Sequence, residues 1–206
     1  MANQGDFNSW TATLERLPAS AREAEALSAW YPDENRRILT GVDASQDNFF
    51  SEQVRNARII HLATHGYFNE SLPELVGVAL SPGTDGDSFV SLAEISGARF
   101  NAELVVISAC STTQGETIPG EGNMSLARGF LAQGVGSVIS TLWPVSDRAT
   151  ALFMKEFYRA VNEDRLDYAA AMQSAQQALR SSATYRNPYY WAAYVLTSAA
   201  PGDSSP

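Results

Sequence analysis

Cysteine is almost absent: the 206 residues hold one, Cys110, and histidine occurs twice, as His61 and His65. A single thiol excludes an intramolecular disulfide and any zinc site built on cysteine pairs, and it fits a reducing compartment. Basic residues are scarce as well. Lys+Arg number 14 against 23 Asp+Glu, giving a formal net charge of −9 and a pI near 4.7. That balance argues against a nucleic-acid or anionic-membrane partner and leaves cationic partners or plain solubility. No apolar run reaches the ~18–20 residues of a membrane span. Met1–Phe7 has neither a basic start nor an apolar core, so no signal peptide is visible and a cytoplasmic location is expected. Internal repeats and low-complexity tracts are missing too.

What is present reads as one domain in which strands alternate with helices. Residues 1–16 form an N-terminal segment without clear periodicity, 17–199 the domain, and 200–206 a tail expected to be disordered. Ala21–Trp30 is rich in alanine and glutamate, which predicts a helix capped by Ser20 with Glu23 completing a capping box. A short strand at Arg37–Thr40 and a helix from Ala44 to about Asn56 follow. Strands are expected at about 58–64, 77–80, 89–90, 104–109, 138–142 and 191–197, with 77–80 and 89–90 as hairpin arms. Further helices are expected at 92–97, at 124–133 behind an Asn123 cap and before Gly134, and at 148–161 and 168–181. The alternation implies a three-layer α/β/α sandwich around a mostly parallel sheet.

Two apolar runs end in reactive side chains: Ile59-Ile60-His61-Leu62-Ala63-Thr64-His65-Gly66 and Leu104-Val105-Val106-Ile107-Ser108-Ala109-Cys110-Ser111. Both have the character of buried parallel strands, whose carboxyl ends are where open α/β folds place their ligand sites. Cys110 reads either as a nucleophile or as an inert core cysteine. His61 lies deeper between Ile60 and Leu62, as a hydrogen-bonded core histidine does. His65 precedes Gly66, whose backbone permits close approach of a substrate and whose N–H could face an oxyanion. His61 and His65, ~13 Å apart along a strand, do not converge on a metal, and no cofactor is expected. Gly-x-Ser-x-Gly is absent, and the glycines at 115, 120 and 122 lack the lysine of a phosphate-binding loop.

Leu62-Ala63-Thr64-His65-Gly66, Ile107-Ser108-Ala109-Cys110-Ser111-Thr112, Gly120-Glu121-Gly122, Leu142-Trp143-Pro144-Val145-Ser146-Asp147 and Asn187-Pro188-Tyr189-Tyr190-Trp191-Ala192-Ala193-Tyr194 together resemble the CHAT domain. That family is a separase-related member of the caspase-like cysteine peptidases of clan CD, often following tetratricopeptide repeats. The resemblance implies a caspase-like fold and a cysteine endopeptidase acting on a protein or peptide. Cys110 is then the nucleophile, His65 its partner, and the N–H groups of Gly66 and Cys110 the oxyanion hole. It also implies Asp147, with Glu121 as a second candidate, in a pocket for Arg or Lys before the cut. The alternative for Asp147 is a helix-cap role with Ser146, and for Glu121 a loop anchor. Trp143 reads as a pocket wall or a core tryptophan. Family members carry further strand-containing sequence before the point where this chain starts, so the domain reads as N-terminally shortened with an uncovered sheet edge. A non-catalytic interaction module completed by a partner, such as a tetratricopeptide-repeat protein, is the alternative reading. Amidotransferase-like thioester chemistry fits less well, because His precedes Cys.

Overall fold

The computed structural model describes residue 14 and residues 18–67, 76–84, 86–108, 110–111 and 121–199. In chain order the elements begin with helices α1 (Pro18–Ser28), α2 (Gln46–Phe49) and α3 (Glu52–Arg55), then strands β1 (Ile59–Leu62), β2 (His65–Tyr67), β3 (Gly77–Ala79) and β4 (Phe89–Ser91). Helix α4 (Leu92–Ser96), strands β5 (Leu104–Ile107) and β6 (Cys110–Ser111), helix α5 (Glu121–Ala132) and strand β7 (Ser137–Thr141) follow. Helices α6 (Asp147–Asn162), α7 (Tyr168–Ser181) and α8 (Pro188–Trp191) precede the last strand, β8 (Tyr194–Ser198).

Strands β1, β5 and β7 run parallel, β8 closes their sheet antiparallel, and the order is β1-β5-β7-β8. The central strand β5 is buried along its whole length, and its residues divide alternately between two cores. Val105 and Ile107 join Ile60, Leu62 and Val138 beneath α2 to α5, around Phe49, Ile95, Leu126 and Phe130. Leu104, Val106 and Ile139 face the other way, into Leu27 of α1, Phe153 and Phe157 of α6, and Ala175 and Leu179 of α7. Helices therefore cover both faces, and the fold is the expected α/β/α sandwich with a mostly parallel sheet.

A second sheet, ordered β4-β3-β2-β6, grows from the first. Strand β2 continues β1 after residues 63–64, and β6 continues β5 after 108–109. The pair β2–β6 stays parallel, and the antiparallel hairpin β3–β4, paired Gly77↔Ser91, Val78↔Val90 and Ala79↔Phe89, lies along the outer side of β2. Among the described residues β1 is an outer strand of its sheet, whereas β2 has neighbours on both sides.

Several expectations are corrected. Helix α1 starts at Pro18, a residue suited to a first helical position, so Ser20 lies inside it. Glu23 does not close a capping box there; its carboxylate turns into the interior, to His61. The segment 36–40 joins no ladder, and the single helix expected after Ala44 is two short ones, the first capped by Ser45. The two strands expected at 58–64 and 104–109 are each interrupted. Helix α5 begins at Glu121, so Asn123 is within it and not its cap. Gly134 does end this stretch, with φ +101, a conformation open to glycine. The strand expected at 191–197 starts later, at Tyr194, because Asn187 caps a helical turn over Pro188–Trp191 with Pro188 at its start. The loop residues 112–120 and the tail 200–206 lie outside the described residues.

Candidate active site

Each interrupted strand delivers one candidate residue to the second sheet. The β2–β6 register pairs His65 with Cys110 and Gly66 with Ser111. Neighbouring strands lie about 4.8 Å apart, so the backbones of His65 and Cys110 sit one ladder spacing from each other. For Cys110, Ser111 and Glu121 the description is of the backbone alone. The strand interruptions are themselves tied. The Ser108 N–H donates to the Leu62 carbonyl at 2.8 Å, and the Thr64 hydroxyl donates to the Ala79 carbonyl of β3. The first closes the β1–β5 ladder, and the second seats the link between β1 and β2 against the hairpin. Gly66 pairs with Val78 on that side.

His61 has a different environment. Its side chain is 14% exposed, with Nε2 3.0 Å from Oε1 of Glu23 on α1 and Nδ1 3.1 Å from the hydroxyl of Tyr158 on α6. Burial, then the nearby Tyr31, Glu23 and Tyr168, push the Tyr158 phenol well above its ordinary value, so it remains a hydrogen-bond donor. His61 is thus the hydrogen-bonded core histidine expected from its position. Among the described residues no group of three His, Cys, Asp or Glu side chains could hold a metal ion.

The far side of β5 leads to the other candidates. Strand β7 ends at Thr141, and the backbone continues through Trp143 to Ser146, whose hydroxyl accepts the Ala149 N–H as the cap of α6. Asp147 is exposed and is the first residue of that helix, where the positive end of the helix dipole favours a carboxylate. The structure therefore gives the cap to Ser146 and leaves Asp147 at the surface. Trp143 is half-buried. Its ring lies over Tyr189 at 6.4 Å, its indole N–H donates to the Tyr189 carbonyl at 2.9 Å, and the Tyr189 hydroxyl donates to the Pro144 carbonyl at 2.7 Å. This reciprocal pair clasps the loop after β7 to the distant short helix α8. Glu121 opens α5.

Two features escaped the sequence reading. Asn123, 2% exposed, donates from Nδ2 to the Thr141 carbonyl at 2.5 Å and so ties the start of α5 to the end of β7. The Glu23–His61–Tyr158 chain joins three elements. Its one sequence signal was an acid at Glu23, four residues before Leu27 and on the same buried helix face.

Comparison with known proteins bears on this arrangement. The sequence model of the CHAT domain family matches residues 1–199. Tetratricopeptide repeat protein 28 of Mus musculus is 30% identical over 107 residues, which is 52% of this chain and 4% of that protein. The Homo sapiens protein of the same name is 29% identical over 107 residues, again 52% and 4%. The chain's match thus spans about 4% of the length of these curated relatives.

Proposed function

The chain belongs to the CHAT domain family, and on that premise we propose that it is a cysteine endopeptidase module in which Cys110 and His65 form the catalytic dyad. The observation that carries this reading is the register His65↔Cys110. Partners in a parallel ladder share one face of the sheet, which is the placement a thiolate and an imidazole need to exchange a proton. In the proposed reaction the Cys110 thiolate attacks the scissile carbonyl carbon, and the electron pair moves to the carbonyl oxygen. The N–H groups of Gly66 and Cys110 receive that oxyanion. Collapse breaks the C–N bond, the His65 imidazolium gives its proton to the leaving amine, and a thioester remains. Water, losing a proton to His65, then attacks the thioester and releases the acid and the Cys110 thiol.

For the residue before the cut we propose Arg or Lys. Asp147 is an exposed carboxylate beyond the end of β7, the strand flanking β5 on the side away from β1, and its cap role is taken by Ser146. Glu121 at the start of α5 is a second acid for the same cation. The names of the relatives support a tetratricopeptide-repeat protein as partner or context.

Fluorogenic peptides ending in Arg or Lys, together with a thiol-directed probe, test the reading. Cys110→Ala should abolish labelling and lower turnover by at least about 10³-fold, since dyad members act as a unit. His65→Ala should lower turnover comparably. Equal turnover by the Cys110→Ala protein overturns the dyad. Normal labelling with no turnover of any peptide library favours the interaction-module reading.

A further inference from the structure

The buried pair Glu23–His61 has no part in the proposed reaction. Its two side chains are 7% and 14% exposed, the most enclosed ion-pair partners among the described residues. A carboxylate removed from water is costly unless it is paired and hydrogen-bonded. Glu23 therefore depends on His61, and His61 on Tyr158. Of the side chains of α1 that are described, Glu23 and Leu27 are buried, the helix packs against α6, and Trp30 and Tyr31 join the same core just beyond its end. A short helix that rests on one face against its neighbour can open locally without unfolding of the whole.

The other end of the contact lies on β1, which among the described residues has a ladder partner on one side only. Its lateral position is set by β5 and by what its side chains touch. After Leu62 only residues 63–64 intervene before β2 and His65. We propose that α1 is a latch on the His65-bearing strand, with Glu23 and His61 as positioning residues that hold His65 in register with Cys110. Coupling of this kind is reciprocal: a force that lifts α1 loosens His61, and a shift of β1 expels Glu23. The consequence at Cys110 rests on the dyad reading; the latch itself does not.

Hydrogen exchange on the intact chain, combined with alkylation of its single thiol by iodoacetamide, separates the two. Glu23→Leu removes the acceptor, whereas Glu23→Gln keeps an oxygen of the same reach. Exchange over 18–28 and 59–67 should rise at least tenfold in Glu23→Leu, stay within about threefold of wild type in Glu23→Gln, and remain unchanged over 137–141. The Cys110 alkylation rate and its pH profile should change in Glu23→Leu and be restored in Glu23→Gln. A rise confined to 18–28 overturns the latch. Should Glu23→Leu unfold the whole chain, Tyr158→Phe decides: it keeps the ring packing, and an unchanged 59–67 there overturns the proposal. If exchange is coupled while alkylation is flat in every variant, His65→Ala included, the latch stands and the dyad reading fails.

Discussion

Gly77 is the residue on which the neighbourhood of His65 depends most sharply. It pairs with Tyr67 of β2 on one side and Ser91 of β4 on the other, and a Cβ there would collide with the Val90 carbonyl oxygen and the Phe89 ring. The backbone oxygen cannot move aside as a flexible side chain does. Gly77→Ala should therefore cost about 1–3 kcal/mol. For a chain of this size each kcal/mol lowers Tm by about 2–4 °C, which calorimetry reads directly. Gly129 makes a useful contrast, because a Cβ there meets the end of the Leu92 side chain. Tyrosine gives a second prediction. Burial raises the Tyr158 phenol well above its ordinary value, and burial with the Glu103 carboxylate raises Tyr168 to about 12. The unfolded chain loses these protons near pH 10 while the folded one keeps them. Their contribution is complete below pH 10 and is lost as pH rises from 10 through 12 and beyond. Urea unfolding at pH 9 to 12 should show this decline, and Tyr158→Phe should make it shallower.

Helices and strands differed in how well the sequence announced them. Strand β5 and helices α6 and α7 were legible because periodicity, caps and burial agree: Ser146 and Asp167 both accept from the N–H three residues on. Nothing local marked the interruptions at 63–64 and 108–109. The hydrogen bonds found there, Thr64 to Ala79 and Ser108 to Leu62, have partners distant in sequence and on another strand. Helix α1 was legible as a helix and misread at its ends, because Glu23 serves His61 and not the helix terminus. The residues His65, Gly66 and Cys110 were legible as strand ends, but only the ladder shows that the first and last are opposite one another. At this scale Ser146 and Asp147 can be separated. Ser146→Ala removes the cap of α6 and should cost about 1 kcal/mol. Asp147→Asn keeps the Ser146 cap and removes a charge at an exposed position, a change of a few tenths of a kcal/mol once solvent screening is counted. It should nevertheless lower kcat/KM for Arg and Lys peptides at least tenfold relative to peptides with neutral residues there. Retained preference for Arg and Lys in Asp147→Asn removes this residue from the pocket.

The whole molecule is two cores back to back, separated by one sheet. Phe130 belongs to the core beneath α2 to α5 and Phe157 to the core beneath α1, α6 and α7, and the two clusters share no member. Phe130→Ala and Phe157→Ala should each cost about 3–5 kcal/mol. Combined, they should add to within about 0.5 kcal/mol, since neither cavity touches the other's neighbours. Single-residue reductions to leucine permit the same double-mutant cycle by urea unfolding if the alanine pair does not fold. A coupling well above that value would mean that strain passes through β5. The net charge of −9 and the absence, among the described residues, of any helix long and apolar enough to cross a membrane complete the picture at this scale.

The paired interruptions leave the His65 and Cys110 positions on a ladder of two rungs, while the strands beneath them share four. Short ladders open more readily than the cores they border. Parting those two rungs would separate the His65 and Cys110 positions and leave every large buried aromatic residue where it is. On the dyad reading proposed above, the molecule would then stand idle without coming apart, and return to readiness at the cost of a local closure instead of a refolding.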